Sequence, residues 1–205
     1  APMTDVQQAI IRSTIREPPA GYLVVCISLH IPVTETYTSQ LSDAWRCVLS
    51  SHSIFRASVD TINGLFEVGS AYEHYWKTIF ADGQDIEGIV SRESSLLLDL
   101  ARSKVLGGVF KPVTEFRLIF GHGNDSKLLL LVHHSLIDGH SIGSIVQDVR
   151  SQLMGKSLTA KEQFSSYSRA LPTHLDEARQ AAKSFWTKAM TDLQDGTQLR
   201  ICQPD

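Results

Sequence analysis

The chain has 205 residues, of which 42% are hydrophobic and 20% are charged, and its formal net charge is −3. Its 19 Lys and Arg residues are scattered, with no basic run longer than two residues, so a nucleic-acid surface is not expected. No apolar run approaches the ~18 residues that a membrane span needs, and the amino terminus lacks the pattern of a signal peptide. This composition indicates a globular domain, or one lobe of a larger one, in the cytoplasm.

The cysteine pattern points to the same compartment. The three cysteines are Cys26, Cys47 and Cys202, an odd number with no short spacing between any two of them. Such a pattern is typical neither of a disulfide framework nor of a zinc site. We therefore expect reduced thiols in a cytoplasmic protein.

The first elements are a helix, a strand and a second helix. Thr4 and Gln7 form a capping-box pattern that predicts a helix ending near Thr14. The residues from 22 to 31 are rich in Val, Ile and Leu and predict a strand. An apolar face at three-four spacing then predicts a helix; its members are Leu41, Ala44, Trp45, Val48 and Leu49.

A β-hairpin is predicted next in the chain. Asn63-Gly64 separates two apolar runs, residues 54–61 and 65–68, and this dipeptide is the strongest short signal for a hairpin turn. A further strand is predicted over residues 72–81 and a helix over residues 84–101.

The second half of the chain is predicted to contain a central strand. Strands are expected over residues 116–120 and 127–132, and the second has five apolar residues in a row, as a strand covered on both faces requires. A helix should begin at Ser141. A last helix is predicted from apolar residues at three-four spacing: Leu175, Ala178, Ala182, Phe185, Ala189 and Leu193.

These elements predict an α/β fold of the two-layer α+β kind. Helices alternate irregularly with strands, and several strands are linked as hairpins. The expected architecture is therefore a mixed or mostly antiparallel sheet covered by helices. No glycine-rich phosphate loop follows any strand, so a nucleotide-binding fold is not expected.

Candidate catalytic residues cluster between the predicted central strand and the helix at Ser141. A histidine at such a strand end can act as a general base near neutral pH, because its unperturbed pKa is about 6.5. A structural histidine is the simpler alternative. A metal site from His134, Asp138 and His140 matches no common zinc spacing. A triad using Ser135 lacks the G-x-S-x-G elbow.

The segment His133-His134-x-x-x-Asp138-Gly139 resembles the H-H-x-x-x-D-G signature of nonribosomal peptide synthetase condensation domains, which are related to chloramphenicol acetyltransferase. Further segments resemble motifs of that family in the same order along the chain. Residues 2–7 resemble the P-x-T-x-x-Q opening of fungal condensation domains, and residues 19–22 resemble the segment that follows it. Residues 51–57 resemble R-H-x-x-L-R-T, although its first and last positions differ. Residues 185–188 resemble the F/Y-W motif near the end of the first lobe.

The resemblance implies a chloramphenicol acetyltransferase-like fold for residues 1–205, as the N-terminal lobe of a two-lobed condensation domain. The active site of such a domain lies in a tunnel between the lobes. The D-F-G-W-G motif of the C-terminal lobe is absent from this sequence. The isolated lobe is therefore expected to be inactive, although it would form half of an acyltransferase.

The family's mechanism assigns roles to three residues of the signature. It implies that His134 removes a proton from the attacking amine, or orients it, as an amide bond forms between carrier-bound aminoacyl or peptidyl thioesters. His133 lies beside it in the catalytic motif. Gly139 is expected to let the backbone turn tightly and to bring its N–H near the reacting centre.

Two further residues are implied to have structural roles at the site. Asp138 is expected to form a buried ion pair with Arg56, far away in the sequence.

Ser141 is a possible substrate-side residue, since it fits the tail of the S-H-x-x-x-D-x-x-S/T pattern of terminal cyclising domains. His133 fits the ordinary form instead, so elongation and cyclisation both remain open.

The resemblance also implies the partners. Both substrates would be carried on phosphopantetheine arms, so the lobe itself is expected to bind no cofactor and no metal. Its partners would be peptidyl carrier proteins, the missing C-terminal lobe and a neighbouring adenylation domain, with no nucleic acid or membrane. The alternative is a truncated, non-catalytic lobe that serves as a structural or carrier-docking module.

Overall fold

A computed structural model describes residues 1–17, 20–30, 35–103, 109–121, 125–158 and 162–190. The chain divides into two compact units, Ala1–Ser168 and Arg169–Asp205. In chain order the elements are α1 (Asp5–Arg16), β1 (Tyr22–His30), α2 (Glu35–Ser51), a 3-10 helix (Ser53–Arg56), β2 (Ala57–Asp60), β3 (Leu65–Val68), β4 (Tyr75–Phe80), α3 (Ile86–Ser103), β5 (Val109–Phe110), β6 (Glu115–Phe120), β7 (Asp125–His133), α4 (Gly139–Leu153) and α5 (Phe164–Met190).

The main sheet has four strands in the order β1-β7-β6-β4. β7 pairs antiparallel with both β1 and β6, whereas β4 pairs parallel with β6. The sheet is therefore mixed, which confirms the predicted fold class. Leu128 to Val132 are all at most 1% exposed, so the prediction of a central strand covered on both faces is also confirmed.

Two helices cover opposite faces of this sheet. Trp45 of α2 packs against Phe116 of β6, with ring centroids 5.1 Å apart. The predicted apolar face of α2 is buried along its whole length, which confirms that prediction. The next residue of β6, Arg117, instead faces Glu93 of α3, with 3.6 Å between its Nε and a carboxylate oxygen. Successive side chains of a strand point to opposite faces, so α2 and α3 lie on either side of the sheet.

A buried charge cluster lies under α3. The Glu93 side chain is only 5% exposed and has Lys77 Nζ at 3.5 Å and Arg117 Nε at 3.6 Å. Arg117 also donates to a Glu115 carboxylate oxygen at 2.8 Å. A carboxylate this far from water is tolerated when such partners offset its lost hydration.

A smaller sheet has the order β3-β2-β5. Its hairpin turns at Asn63-Gly64 as predicted, with Gly64 at φ +67° and the Asp60 carboxylate accepting from the Asn63 N–H at 3.0 Å. The start of the predicted strand at Ile54 is wrong, because Ser53–Arg56 is a 3-10 helix and β2 begins at Ala57. β5 was not predicted.

The helix and strand ends differ little from the predictions. α1 has the complete capping box: the Gln7 N–H donates to Thr4 Oγ1 at 3.2 Å, and the Thr4 N–H donates to Gln7 Oε1 at 3.0 Å. It continues two residues beyond the predicted end, to Arg16. α5 confirms a last helix, although Leu193 and Cys202 lie outside the described residues. None of the described helices has the length and apolar character that a bilayer crossing requires.

Candidate functional site

The candidate site lies where β7 ends and α4 begins. β7 ends at His133, which pairs with Tyr22 at the start of β1. Residues 134–136 form a turn, and α4 starts at Gly139. The antiparallel register of β1 and β7 therefore brings the connection between α1 and β1 next to the histidine segment.

His133 is fully buried and bonded through both ring nitrogens. Its Nε2 lies 2.8 Å from Thr14 Oγ1, and its Nδ1 lies 2.7 Å from Ser135 Oγ. The Ser135 N–H donates to Nδ1 at 3.2 Å, so Nδ1 is the acceptor and Nε2–H donates to Thr14. The Tyr22 ring meets the imidazole edge-on at 4.8 Å. These contacts favour a structural role over contact with a substrate.

Burial of His133 makes the stability of the protein depend on pH. Burial, and secondarily the neighbouring His134, lowers the pKa of His133 to about 4. The unfolded chain, with its histidine pKa near 6.5, therefore binds the proton first. The stabilisation is fully present above about pH 6.5 and is lost as the pH falls towards 4. Burial also lowers the pKa of His74 to about 4, so His74 contributes to the same loss of stability over the same pH range.

We expect wild type to lose about 2 kcal/mol more unfolding free energy than His133→Gln between pH 7 and pH 4.5. The glutamine cannot titrate but can still donate to Thr14. Urea unfolding at the two pH values measures this difference, with the His74 contribution common to both proteins. Equal losses in the two proteins would show that His133 is not responsible.

His134 is exposed and is held in one orientation. Its backbone N–H donates to the Gly21 carbonyl at 2.7 Å. Its Nδ1 lies 2.8 Å from the Ile137 carbonyl oxygen. A carbonyl only accepts, so Nδ1 is the donor, and in the neutral ring Nε2 is the acceptor. In this tautomer the exposed ring presents an acceptor nitrogen, as a general base requires.

Three residues of the amino-terminal segment support these histidines, and none was among the predicted site residues. Thr14 bonds His133, and Gly21 accepts from His134. Gly21 has φ +83°, and a Cβ there would lie 2.5 Å from Thr14 Oγ1 and 2.9 Å from His133 Nε2. Gln7 donates from Nε2 to the Ser135 carbonyl at 2.8 Å. Gln7 and Gly21 fall within the segments that resemble the opening motif, which was the signal available in the sequence.

The expected ion pair between Asp138 and Arg56 is not formed, which corrects that prediction. Asp138 is exposed and caps α4: its Oδ1 accepts from the Ser141 N–H at 2.7 Å and from the Ser141 hydroxyl at 2.6 Å. These bonds lower the pKa of Asp138. Arg56 donates instead to the carbonyls of Ser50 and Gly69. The role of Asp138 in this chain is therefore local, and such caps typically contribute about 1 kcal/mol.

The expected tight turn at Gly139 is also wrong. Gly139 is not among the residues with positive φ, and it is the first residue of α4. A Cβ at this position would meet nothing within 4 Å. Gly139 therefore borders open space beside the histidine segment. Ser141 is half-buried, and its hydroxyl proton is donated to Asp138.

A cavity of about 220 Å³ lies at the same end of the main sheet. Its lining includes Phe55, Tyr72, Val113 and Glu115. Glu115 pairs with Leu131 of β7, two residues before His133. Within the described part of the chain, no group of three His, Cys, Asp or Glu side chains is placed to hold a metal ion.

The chain is similar in sequence to fungal nonribosomal peptide synthetases. No family model matches the chain. It is 41% identical over 202 residues to the nonribosomal peptide synthetase tcpP of Claviceps purpurea, a match that covers 97% of this chain and 10% of that protein. It is 28% identical over 207 residues to nonribosomal peptide synthetase 5 of Aspergillus fumigatus, covering 100% of this chain and 9% of that protein. The chain thus spans about a tenth of the length of these relatives.

Solved structures with the same fold are condensation domains. VibH, an NRPS condensation enzyme, matches with a TM-score of 0.69 and 19% identity over 94% of this chain and 46% of that chain. The starter condensation domain of rhizomide synthetase RzmA matches with a TM-score of 0.68 and 13% identity over 94% of this chain and 48% of that chain. The fold of this chain is therefore that of slightly less than half of each.

Proposed function

We propose that this chain is one lobe of a fungal-type nonribosomal peptide synthetase condensation domain and supplies the base for amide bond formation. Residues 1–205 would be the N-terminal lobe, and His134 would be the catalytic residue. The observation that carries the proposal is the orientation of the His134 ring, which is exposed and has Nδ1 2.8 Å from the Ile137 carbonyl oxygen, so that Nε2 is the acceptor of the neutral ring.

The proposed step is the attack of an amine on a thioester. The amine nitrogen forms a bond to the carbonyl carbon while His134 Nε2 accepts the proton that the nitrogen loses. The carbon–sulfur bond then breaks, and the leaving sulfur takes up the proton that Nε2 accepted, so the ring returns to its starting state. General base catalysis of this kind typically contributes about 10²–10⁴ in rate. The bond to Ile137 would fix the ring and with it the position of Nε2.

The substrates and partners follow from the same proposal. Both thioesters would be carried on phosphopantetheine arms of peptidyl carrier proteins, so the lobe would need no cofactor of its own. The C-terminal lobe would supply the other wall of the site, and without it the isolated lobe would be inactive. A neighbouring adenylation domain would be the further partner. The thiols of Cys26 and Cys47 are free, in keeping with the cytoplasmic location that we propose.

The decisive experiment compares His134→Ala with wild type in a complete condensation domain that contains this lobe. Loaded donor and acceptor carrier proteins are supplied, and the amide product is measured by mass spectrometry. We expect product formation to fall by about 10²–10⁴-fold with an unchanged melting temperature, because the side chain is exposed.

The matched control is His174→Ala, which removes an exposed imidazole from α5 and should leave turnover unchanged. Retained turnover in His134→Ala would refute the catalytic role. Carrier binding without any turnover in wild type would support a docking module instead.

A further inference from the structure

We infer that Gln7 is a positioning residue for His134, acting through the Ser135 carbonyl. The inference rests on the proposed role of His134 as the base. Gln7 lies in the first turn of α1, and its half-buried side chain reaches the histidine segment 128 residues later in the sequence. The contact is a hydrogen bond of 2.8 Å from Gln7 Nε2 to the Ser135 carbonyl oxygen.

The capping role of Gln7 does not account for this bond. A capping box needs only an acceptor at this position, and Gln7 Oε1 supplies it to the Thr4 N–H at 3.0 Å. A glutamate would serve the cap equally well and would interact favourably with the helix N-terminus. The amide nitrogen is therefore free for a second contact, and that contact is the Ser135 carbonyl.

The position of the Ser135 carbonyl explains what the bond does. It belongs to the peptide group that directly follows Ser135 in the turn, and the N–H of that same group, from Leu136, donates to the His133 carbonyl at 2.9 Å. The group is thus held at both ends. It stands between the backbone of His134 and the Ile137 carbonyl that orients the imidazole.

Loss of the Gln7 donor would release one end of this peptide group. The Ile137 carbonyl could then shift relative to His134 Nδ1, and Nε2 would move with the ring. Misplacement of a catalytic group by about 1 Å can lower the rate about 10²-fold. Substrate binding does not use this bond, so the effect should fall on kcat and not on KM.

Gln7→Glu separates the two roles. The carboxylate still accepts from the Thr4 N–H, but it has no donor for Ser135 and places negative charge against a carbonyl oxygen. Gln8→Glu is the matched control, since it is the same substitution at the next position of α1. There the amide nitrogen makes a 3.4 Å bond to the Met3 carbonyl, and the amide oxygen accepts from Arg12 at 3.2 Å. Both are made in the complete condensation domain with loaded carrier proteins.

We expect Gln7→Glu to lower kcat by about 10- to 100-fold, with KM and the melting temperature close to wild type, and Gln8→Glu to change neither constant. If the carboxylate unfolds the first turn, Gln7→Met removes the donor with a neutral side chain of similar length, and it removes the cap acceptor as well. An unchanged kcat in a folded Gln7 variant overturns the inference.

A double variant shows whether Gln7 acts through His134. In the His134→Ala background, Gln7→Glu should have no further effect on the residual rate, because there is no imidazole left to position. A further loss equal to that seen in wild type overturns the inference. Retained activity in His134→Ala alone would instead refute the proposed base, a result distinct from either Gln7 outcome.

Discussion

Replacing Gly21 with alanine is expected to lower the unfolding free energy by about 3 kcal/mol or more. Two effects combine at this position. Its φ of +83° lies in the region that is strained for any residue with a Cβ. The new Cβ would also lie 2.5 Å from Thr14 Oγ1, an atom that is buried and committed to the His133 ring. Relief of that contact would require breaking the bond between Thr14 and His133.

Gly83→Ala is the control that separates these two effects. Gly83 has nearly the same backbone conformation, with φ +82°, but a Cβ at this position would meet nothing within 4 Å. Gly83→Ala should therefore lower the unfolding free energy only by the strain of a Cβ at positive φ, about 1 kcal/mol. Urea unfolding of the three proteins at pH 7 measures both values. Similar losses in the two variants would show that the close packing of Gly21 against the histidine support contributes nothing.

Removal of the buried carboxylate with Glu93→Ala is expected to cost about 3 kcal/mol, at the lower end of the range for breaking a buried ion pair. Arg117 would be left 15% exposed beneath α3 without the carboxylate at 3.6 Å. The loss stays at the lower end because Glu115 still accepts from Arg117. Lys77 also loses its partner, but its side chain is more than half exposed, so water can hydrate the ammonium group.

Asp99→Ala, also on α3, is the matched control for Glu93. Asp99 bonds Arg102 at 2.7 Å, a shorter distance than any of the Glu93 contacts, but both side chains are well exposed. Its removal should cost less than about 1 kcal/mol, because water and salt screen exposed pairs. Thermal unfolding followed by circular dichroism compares the two variants. Equal shifts in melting temperature would mean that burial does not set the strength of the Glu93 cluster.

The elements that the sequence predicted well are those whose signals are local. Thr4 and Gln7 lie within one helical turn, and the buried face of α2 repeats every three or four residues. The five consecutive apolar residues from 128 to 132 are enough by themselves to indicate a strand that is covered on both faces. By contrast, Ile54 lies in a short apolar run, which does not distinguish a strand from a tight helical turn. The first residue of the 3-10 helix, Ser53, donates its N–H to the Gln163 side chain at 2.8 Å. This contact spans 110 residues, so no local pattern could have indicated it.

In the candidate site, too, the features indicated by adjacent residues were predicted and the contacts between distant residues were not. The histidine segment was identified from adjacent residues, and its place at the end of a central strand was predicted. The support of His133 by Thr14 spans 119 residues and exists only in the register that joins β1 to β7. The pairing of Asp138 with Arg56 was carried over from the family. The sequence already contained the signal for a different role, capping of α4. Aspartate is a preferred helix N-cap, and Ser141 follows Asp138 by three residues.

The pairing of β1 with β7 has a consequence during synthesis. About a hundred residues separate the two strands, and β7 is the only strand that β1 contacts in the described sheet. At about 5–20 residues per second, a ribosome needs roughly 5 to 20 seconds to deliver β7 after β1 has emerged. Throughout that time a strand rich in Val, Ile and Leu stays unpaired, which is the condition that chaperones recognise. The contacts that support His133 and His134 can form only after this interval, so the nascent chain acquires its main sheet and its candidate site in the same late event.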